Sequence, residues 1–165
     1  MNRLIILRGN SGSGKTSVAK ALQKRFGSNT MLISHDMIRM QVLHVSGRTG
    51  VEKSLPLMME LVKYGAAHSS VTILEGILDY RDYGKLFDCC VELFGNRIDA
   101  YYYDLSFEET LKRHQTKPNR DEFGEPEMRR WWLGKNLLPM IPEIILTKDI
   151  SLEETVEKIY QKAIR

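Results

Sequence analysis

LIILRGNSGSGKTS, residues 4–17, decides how the rest of the chain is read. The first four residues are a short apolar run. The nine from Gly9 to Ser17 hold three glycines and three serines, a composition unsuited to a packed core. Gly9-x-x-x-x-Gly14-Lys15-Thr16 is the phosphate-binding loop pattern. Glycines let the backbone take positive φ and approach an anion closely. Successive N–H groups can then turn inward as a nest for phosphate oxygens. Lys15 supplies a compact cation for β- and γ-phosphates, and the Thr16 hydroxyl is a hard-oxygen ligand suited to Mg²⁺. The helix expected to begin here, KTSVAKALQKRF, turns its positive dipole end toward the same anion. Gly9, Asn10, Ser11, Gly12, Ser13, Gly14, Lys15, Thr16 and Ser17 are therefore the expected nucleotide contacts.

Outward from this loop the chain alternates between strands and helices. Strands are expected at RLIILR, TMLISHD, SVTILEG, IDAYYYDL and EIILT. A short helix MIRMQVLH follows the second strand, and SGRTG then breaks the chain. A long amphipathic helix is expected from about residue 51 to 69, with Leu55, Met58, Met59, Val62 and Ala66 at helical spacing. YGKLFDCCVELF reads as a helix ended by Gly95. Ser106 with Glu109, and Ser151 with Glu154, are capping boxes that open two more helices. The first of these should end near Pro118. Pro126 opens a further helix, PEMRRWWLGKN, at the position proline tolerates best. SVTILEG is continuous and apolar, as a buried parallel strand should be. The alternation predicts an α/β fold with a parallel sheet and helices on both faces. Ligand then sits at the carboxyl ends of the strands. That places Asp36, Glu75, Asp104 and the 147–149 turn beside the phosphate loop.

Composition narrows the class. At 165 residues, 42% hydrophobic and 27% charged, the chain reads as one soluble domain, residues 1–165. No apolar run is long enough to span a bilayer. MNRLIILRG carries no cleavage site and is expected to be a strand, not a signal peptide. Cys89 and Cys90 are adjacent, with neither disulfide nor zinc spacing, so a cytoplasmic location is expected. The net charge of +3 is too mild to argue for nucleic acid. Residues 112–135 carry seven basic side chains (Lys112, Arg113, Lys117, Arg120, Arg129, Arg130, Lys135) against four acidic ones, an excess equal to that of the whole chain.

These residues carry a family resemblance. The chain resembles the small P-loop kinases: nucleoside monophosphate kinases, shikimate- and gluconate-type kinases, chloramphenicol phosphotransferase and the zeta toxins. LISHDMIRMQV is similar to the adenylate kinase segment in which Asp and Arg lie three apart, as Asp36 and Arg39 do here. In chloramphenicol phosphotransferase and zeta toxin an Asp in this position faces the acceptor hydroxyl. ILEG, ending in Glu75-Gly76, resembles the zeta toxin strand, where adenylate kinases have Asp-Gly. EETLKRHQTKPNRDEFGE resembles the opening of a kinase lid, whose arginines fold over the phosphates. Kinase lids usually carry a second Arg four residues after the first, but Lys117 follows Arg113 here and the next arginine is Arg120. Lysine cannot make the planar two-pronged contact of arginine.

The resemblance implies a three-layer P-loop NTPase fold with a five-stranded parallel sheet and a small helical lid over about residues 113–135. It implies transfer of the γ-phosphoryl group of ATP, with Mg²⁺, to a hydroxyl of a small molecule. Lys15, Asp36, Glu75, Arg113 and Arg120 are the expected catalytic residues. Asp36, Arg39 and Glu75 are expected at the acceptor, and Thr16 and Asp36 at the metal. Asp36 is the expected base, although Asp in this position also suits a helix cap. Glu75 has the reach for either acceptor or metal. Trp131 and Trp132 are expected mainly in the core, and His35 and His114 as polar neighbours. Two other readings stay open: a nucleoside monophosphate kinase, and a non-catalytic nucleotide-binding regulatory module. A GTPase is disfavoured, because no Asp-x-x-Gly follows the third strand and the Asp of TKDI comes one residue early for guanine. The expected partners are ATP and the acceptor, without nucleic acid or membrane, in a monomer or homodimer.

Overall fold

A computed structural model describes residues 2–165. Five parallel strands form one sheet in the order β2-β3-β1-β4-β5. They are β1 (Arg3–Gly9), β2 (Thr30–Ser34), β3 (Val71–Gly76), β4 (Ile98–Tyr103) and β5 (Glu143–Leu146). The helices are α1 (Lys15–Phe26), α2 (His35–Met37), α3 (Gly47–His68), α4 (Tyr80–Phe94), α5 (Phe107–His114), α6 (Glu125–Trp131) and α7 (Leu152–Ala163). β1 lies at the centre, with Arg8 opposite Gly76 of β3 and Gly9 opposite Tyr103 of β4. Successive side chains of a strand point to opposite faces. Leu4 and Ile6 thus join Met58, Val62, Leu86 and Phe87 on the α3–α4 side. Ile5 and Leu7 join Val18, Leu22 and Ile159 on the α1–α7 side. Two apolar layers on one sheet make the three-layer α/β architecture expected from the alternation.

Several boundaries differ from the sequence expectation, each for a local reason. β2 ends at Ser34, so His35 and Asp36 belong to the first turn of α2. The segment after Asp36 is a π-turn over Ile38–Val42, closed by Leu43 N–H donating to the Ile38 carbonyl at 2.9 Å. α3 begins at Gly47 and runs through SGRTG instead of following it. Gly50 stays helical there, and its missing side chain makes room for Arg39: a Cβ would lie 2.8 Å from the guanidinium. α4 starts earlier, capped by Asp79, whose carboxylate accepts from Arg81 N–H at 3.0 Å.

Ser151 and Glu154 form the full reciprocal capping box, but Ser106 makes only its half. Glu109 turns its carboxylate to Arg113 Nε, 3.0 Å away. α5 ends at His114 and α6 at Trp131, both short of the expected limits. The two tryptophans are not core residues. Trp131 is 44% exposed and packs on Phe123, while Trp132 meets Phe107 edge-on with centroids 5.4 Å apart.

Candidate active site

The phosphate loop joins the end of central β1 to the start of α1. Gly12 and Gly14 hold φ of 83° and 97°, the left-handed region where side chains are strained. At Gly12 a Cβ would also lie 2.5 Å from the Thr110 carbonyl oxygen, so α5 packs directly onto the loop. Lys15 is buried and donates from Nζ to the Asn10 carbonyl at 2.8 Å, which also accepts from Ser13 Oγ at 2.6 Å. The Asn10 amide grips the backbone of Leu133, donating to its carbonyl and accepting from its N–H, both at 2.8 Å. Burial pulls the Lys15 pKa below the usual lysine value, against the opposing fields of Glu75 and Asp36; Lys117 lowers it further. A buried ammonium with depressed affinity for its proton is poised for a polyanion, which restores it.

Two carboxylates stand beside this loop. Glu75, 2% exposed at the end of β3, accepts from Thr16 Oγ1 at 3.0 Å and Ser34 Oγ at 2.6 Å, both on Oε1. It is therefore joined to the hydroxyl that the loop pattern assigns to Mg²⁺. Asp36 is exposed in the first turn of α2, and its charge acts on Lys15, Lys117 and His35. The N-cap of that helix falls on Ser34, so Asp36 does not hold the capping position. Among the described residues no three His, Cys, Asp or Glu side chains group as a metal site.

The basic residues separate by position. Arg113 Nη1 donates to the Ser13 carbonyl at 2.8 Å, fastening α5 to the phosphate loop. Lys117 is half-buried, and its charge interacts with those of Glu75, Asp36, Arg113 and Lys15. Arg113, Thr116 and Lys117 line a cavity of about 630 Å³ with Ser13, Gly14 and Ser17 on one side and Lys148 and Asp149 on another. Arg120 is exposed, lines no part of this cavity and makes no ion pair among the described residues. The structure thus brings Arg113 to the loop and leaves Arg120 outside. Sequence reasoning passed over Lys117 because it favoured arginine; the four-residue spacing from Arg113 was the available signal. Arg129 and Arg130 pair on the surface with Glu125 and Glu127.

On the other flank, Arg39 lies against α3 at Gly50 with its Nε buried and without a hydrogen-bond partner. His35, four residues earlier, is buried, with Nε2 2.6 Å from the Tyr83 hydroxyl, which lies 2.9 Å from Ser54 Oγ. Burial pulls His35 down to about 4, so its ring is neutral near pH 7. This network ties the start of α2 to α3 and α4. His114, also buried, stacks on Phe123 and reaches its carbonyl at 2.8 Å. Both histidines are buried, with a ring nitrogen against the Tyr83 hydroxyl in one case and the Phe123 carbonyl in the other.

One functional support was not foreseen at all. Arg8, fully buried one residue before the loop, binds Glu143 at 2.8 and 3.0 Å, the Leu78 carbonyl, and both the carbonyl and the side chain of Asn136. Its guanidinium lies between the rings of Phe87 and Tyr102. A basic residue at the end of an apolar strand gave no sign of this.

Comparison with known proteins agrees with the architecture. Residues 2–74, less than half of the chain, match the family described as chloramphenicol phosphotransferase-like protein. No curated protein matches in sequence. The chain superposes on the Mycobacterium tuberculosis APS kinase CysC, solved in complex with AMPPNP and APS, with a TM-score of 0.66, 16% identity and coverage of 99% of this chain and 98% of that one. A gluconokinase from Sinorhizobium meliloti 1021 gives a TM-score of 0.64 at 17% identity, over 99% of this chain and 93% of that one. Shikimate kinase from Aquifex aeolicus vf5 gives 0.55 at 19% identity, over 96% and 94%. The fold is that of the small P-loop kinases.

Proposed function

We propose that the chain is a kinase that moves the γ-phosphoryl group of ATP to a hydroxyl of a small molecule. The observation that carries this reading is the meeting of two carboxylates with the phosphate loop. Glu75 is bonded to Thr16, and the fields of both Glu75 and Asp36 act on Lys15 and Lys117. A binding loop alone needs neither acid; phosphoryl transfer needs a metal-side oxygen and a proton acceptor.

The roles follow from position. The backbone of Gly9–Thr16 and the Lys15 ammonium hold the phosphates, with Asn10, Ser11, Ser13 and Ser17 shaping the loop. Thr16, with Glu75 beside it and Asp36 facing it, would hold Mg²⁺, which when bound neutralises charge on the β- and γ-phosphate oxygens. The acceptor oxygen attacks the γ-phosphorus. The new O–P bond forms as the bond from γ-phosphorus to the bridging oxygen breaks, and ADP leaves with that electron pair. The hydroxyl proton passes to the Asp36 carboxylate. Arg113 and the segment to about residue 135 serve as the lid that excludes water. Glu75 takes the metal side because its oxygen is already engaged by two hydroxyls.

The test is a screen of hydroxylated metabolites and antibiotics for stimulated ADP release. At least one acceptor is expected to raise release well above basal hydrolysis. Tight ATP binding with no stimulation by any acceptor would favour a regulatory module. One observation favours a second reading. Arg39 has no acidic partner among the described residues, and an unpaired guanidinium suits an acceptor carrying phosphate. Nucleoside monophosphates therefore belong in the same screen.

A further inference from the structure

Asn10 is the first residue of the phosphate loop beyond β1, and it is 7% exposed. We infer that Asn10 is a positioning residue: its side chain fastens the loop to the backbone of Leu133, and this fastening holds the loop in the shape that takes the β- and γ-phosphates. The inference rests on the nucleotide-binding part of the proposed function, and not on any particular acceptor.

Three observations carry it. First, Asn10 is engaged on two sides. Its side-chain amide donates to the Leu133 carbonyl and accepts from the Leu133 N–H, both at 2.8 Å. Its main-chain carbonyl accepts from Ser13 N–H at 3.2 Å, Ser13 Oγ at 2.6 Å and Lys15 Nζ at 2.8 Å. One residue thus joins the phosphate-loop lysine to a backbone 123 positions away. Second, the far end of this tether is firm. Residues 132–138 belong to no helix or strand. Even so, Lys135 pairs with Asp104 at 3.2 Å, and the Asn136 side chain accepts from Arg8 at 2.7 Å and from Tyr80 N–H at 3.2 Å. Asn136 N–H donates to the Tyr102 hydroxyl at 3.3 Å. Third, the other supports of the loop act further along it. A Cβ on Gly12 would lie 2.5 Å from the Thr110 carbonyl oxygen and 3.1 Å from Met128 Cε, and Arg113 holds the Ser13 carbonyl at 2.8 Å. The start of the loop is left to Asn10.

A loop with three glycines has many backbone shapes open to it, and ordering them costs free energy. If only a fraction of the molecules hold the binding shape, the apparent dissociation constant rises by the inverse of that fraction. Tethering the loop before the nucleotide arrives removes this cost. The coupling is reciprocal: if a fastened Leu133 favours phosphate binding, bound phosphate favours a fastened Leu133 by the same factor. The Leu133 N–H, held by Asn10 Oδ1, is therefore a built-in reporter of the loop.

The experiment combines calorimetric binding of ATP and of inorganic tripolyphosphate with amide exchange at Leu133, on the intact chain. Asn10→Leu keeps the approximate shape and loses both bonds. Asn10→Asp keeps the bond from Leu133 N–H, and it is read for exchange only, because its charge would itself repel phosphate. Two neutral hydrogen bonds correspond to about 5- to 150-fold in an equilibrium constant. Asn10→Leu is therefore expected to lose at least about fivefold for ATP, and a similar factor for tripolyphosphate, which has no base or sugar. Leu133 is expected to exchange slowly in the parent and in Asn10→Asp and fast in Asn10→Leu, while the amides of α3 around Val62, which report global opening, keep the parent's rate. ATP is expected to slow Leu133 exchange further in the parent and not in Asn10→Leu. Affinities in Asn10→Leu within twofold of the parent overturn the inference. So does a parent that binds ATP without slowing Leu133, a result that needs no variant to fold. That last outcome leaves the nucleotide reading standing, whereas a parent that binds neither ATP nor tripolyphosphate overturns both.

Discussion

Replacing Arg8 with methionine removes a buried cation while keeping an unbranched stem between Phe87 and Tyr102. The lost contacts are both bonds to the Glu143 carboxylate, those to the Leu78 carbonyl, and those to the Asn136 carbonyl and side chain. Glu143, whose side chain is fully buried, keeps only the Leu138 N–H at 2.8 Å. Removing one partner of a buried ion pair costs about 3–5 kcal/mol, chiefly because the other charge stays desolvated and uncompensated. For a chain of this size each kcal/mol moves Tm by roughly 2–4 °C, so Arg8→Met is expected to melt about 6–20 °C below the parent. Calorimetry or circular dichroism reads the change. Adding Glu143→Gln to Arg8→Met removes the stranded charge and is expected to recover at least about 1 kcal/mol of the loss. The reasoning fails if Arg8→Met melts within about 3 °C of the parent, or if the double variant is no more stable than the single one.

Lys15→Ala is expected to keep the fold and lose phosphoryl transfer by at least about a hundredfold, the worth of one preorganised charge; normal turnover would sink the phosphate-loop mechanism. Asp36→Asn is expected to hold ATP affinity within a few-fold while transfer falls by roughly 10²–10⁴, the usual contribution of a general base. If Glu75→Gln abolishes transfer and Asp36→Asn does not, the base is Glu75. Acid stability should depend on His35: its pKa is near 4 folded against 6.5 unfolded, so the unfolded chain binds the proton first. Stability is thus full above about pH 6.5 and falls by about 2–4 kcal/mol as pH drops toward 4. Denaturant titrations across that window should show a slope that His35→Asn flattens; an unchanged slope would refute the assignment.

The phosphate loop and the layering of the fold were legible because their signals are local. Gly9, Gly14, Lys15 and Thr16 are close in the chain, and their spacing states a backbone shape and a ligand. Leu4, Ile5, Ile6 and Leu7 declare a strand buried on both faces. Ser151 with Glu154 announced a cap that forms as read. Gly50 misled because glycine in SGRTG looks like punctuation, whereas here it answers a side chain eleven residues earlier.

What the sequence determined by itself was the presence of a phosphate site, the α/β order, and the pool of acids and cations available near the strand ends. Only the tertiary structure decided which of them meet. Glu75 reaches Thr16 across 59 residues, Arg8 reaches Glu143 across 135, and His35 reaches Tyr83 across 48. Short-range propensities can fix a turn or a strand, but not the rotation that brings one side chain of a turn inward and sends another out. After α5 that rotation leaves Lys117 half-buried at the cavity and Arg120 exposed. The same turn brings His114 onto Phe123, a contact that exists only once the turn between them has closed.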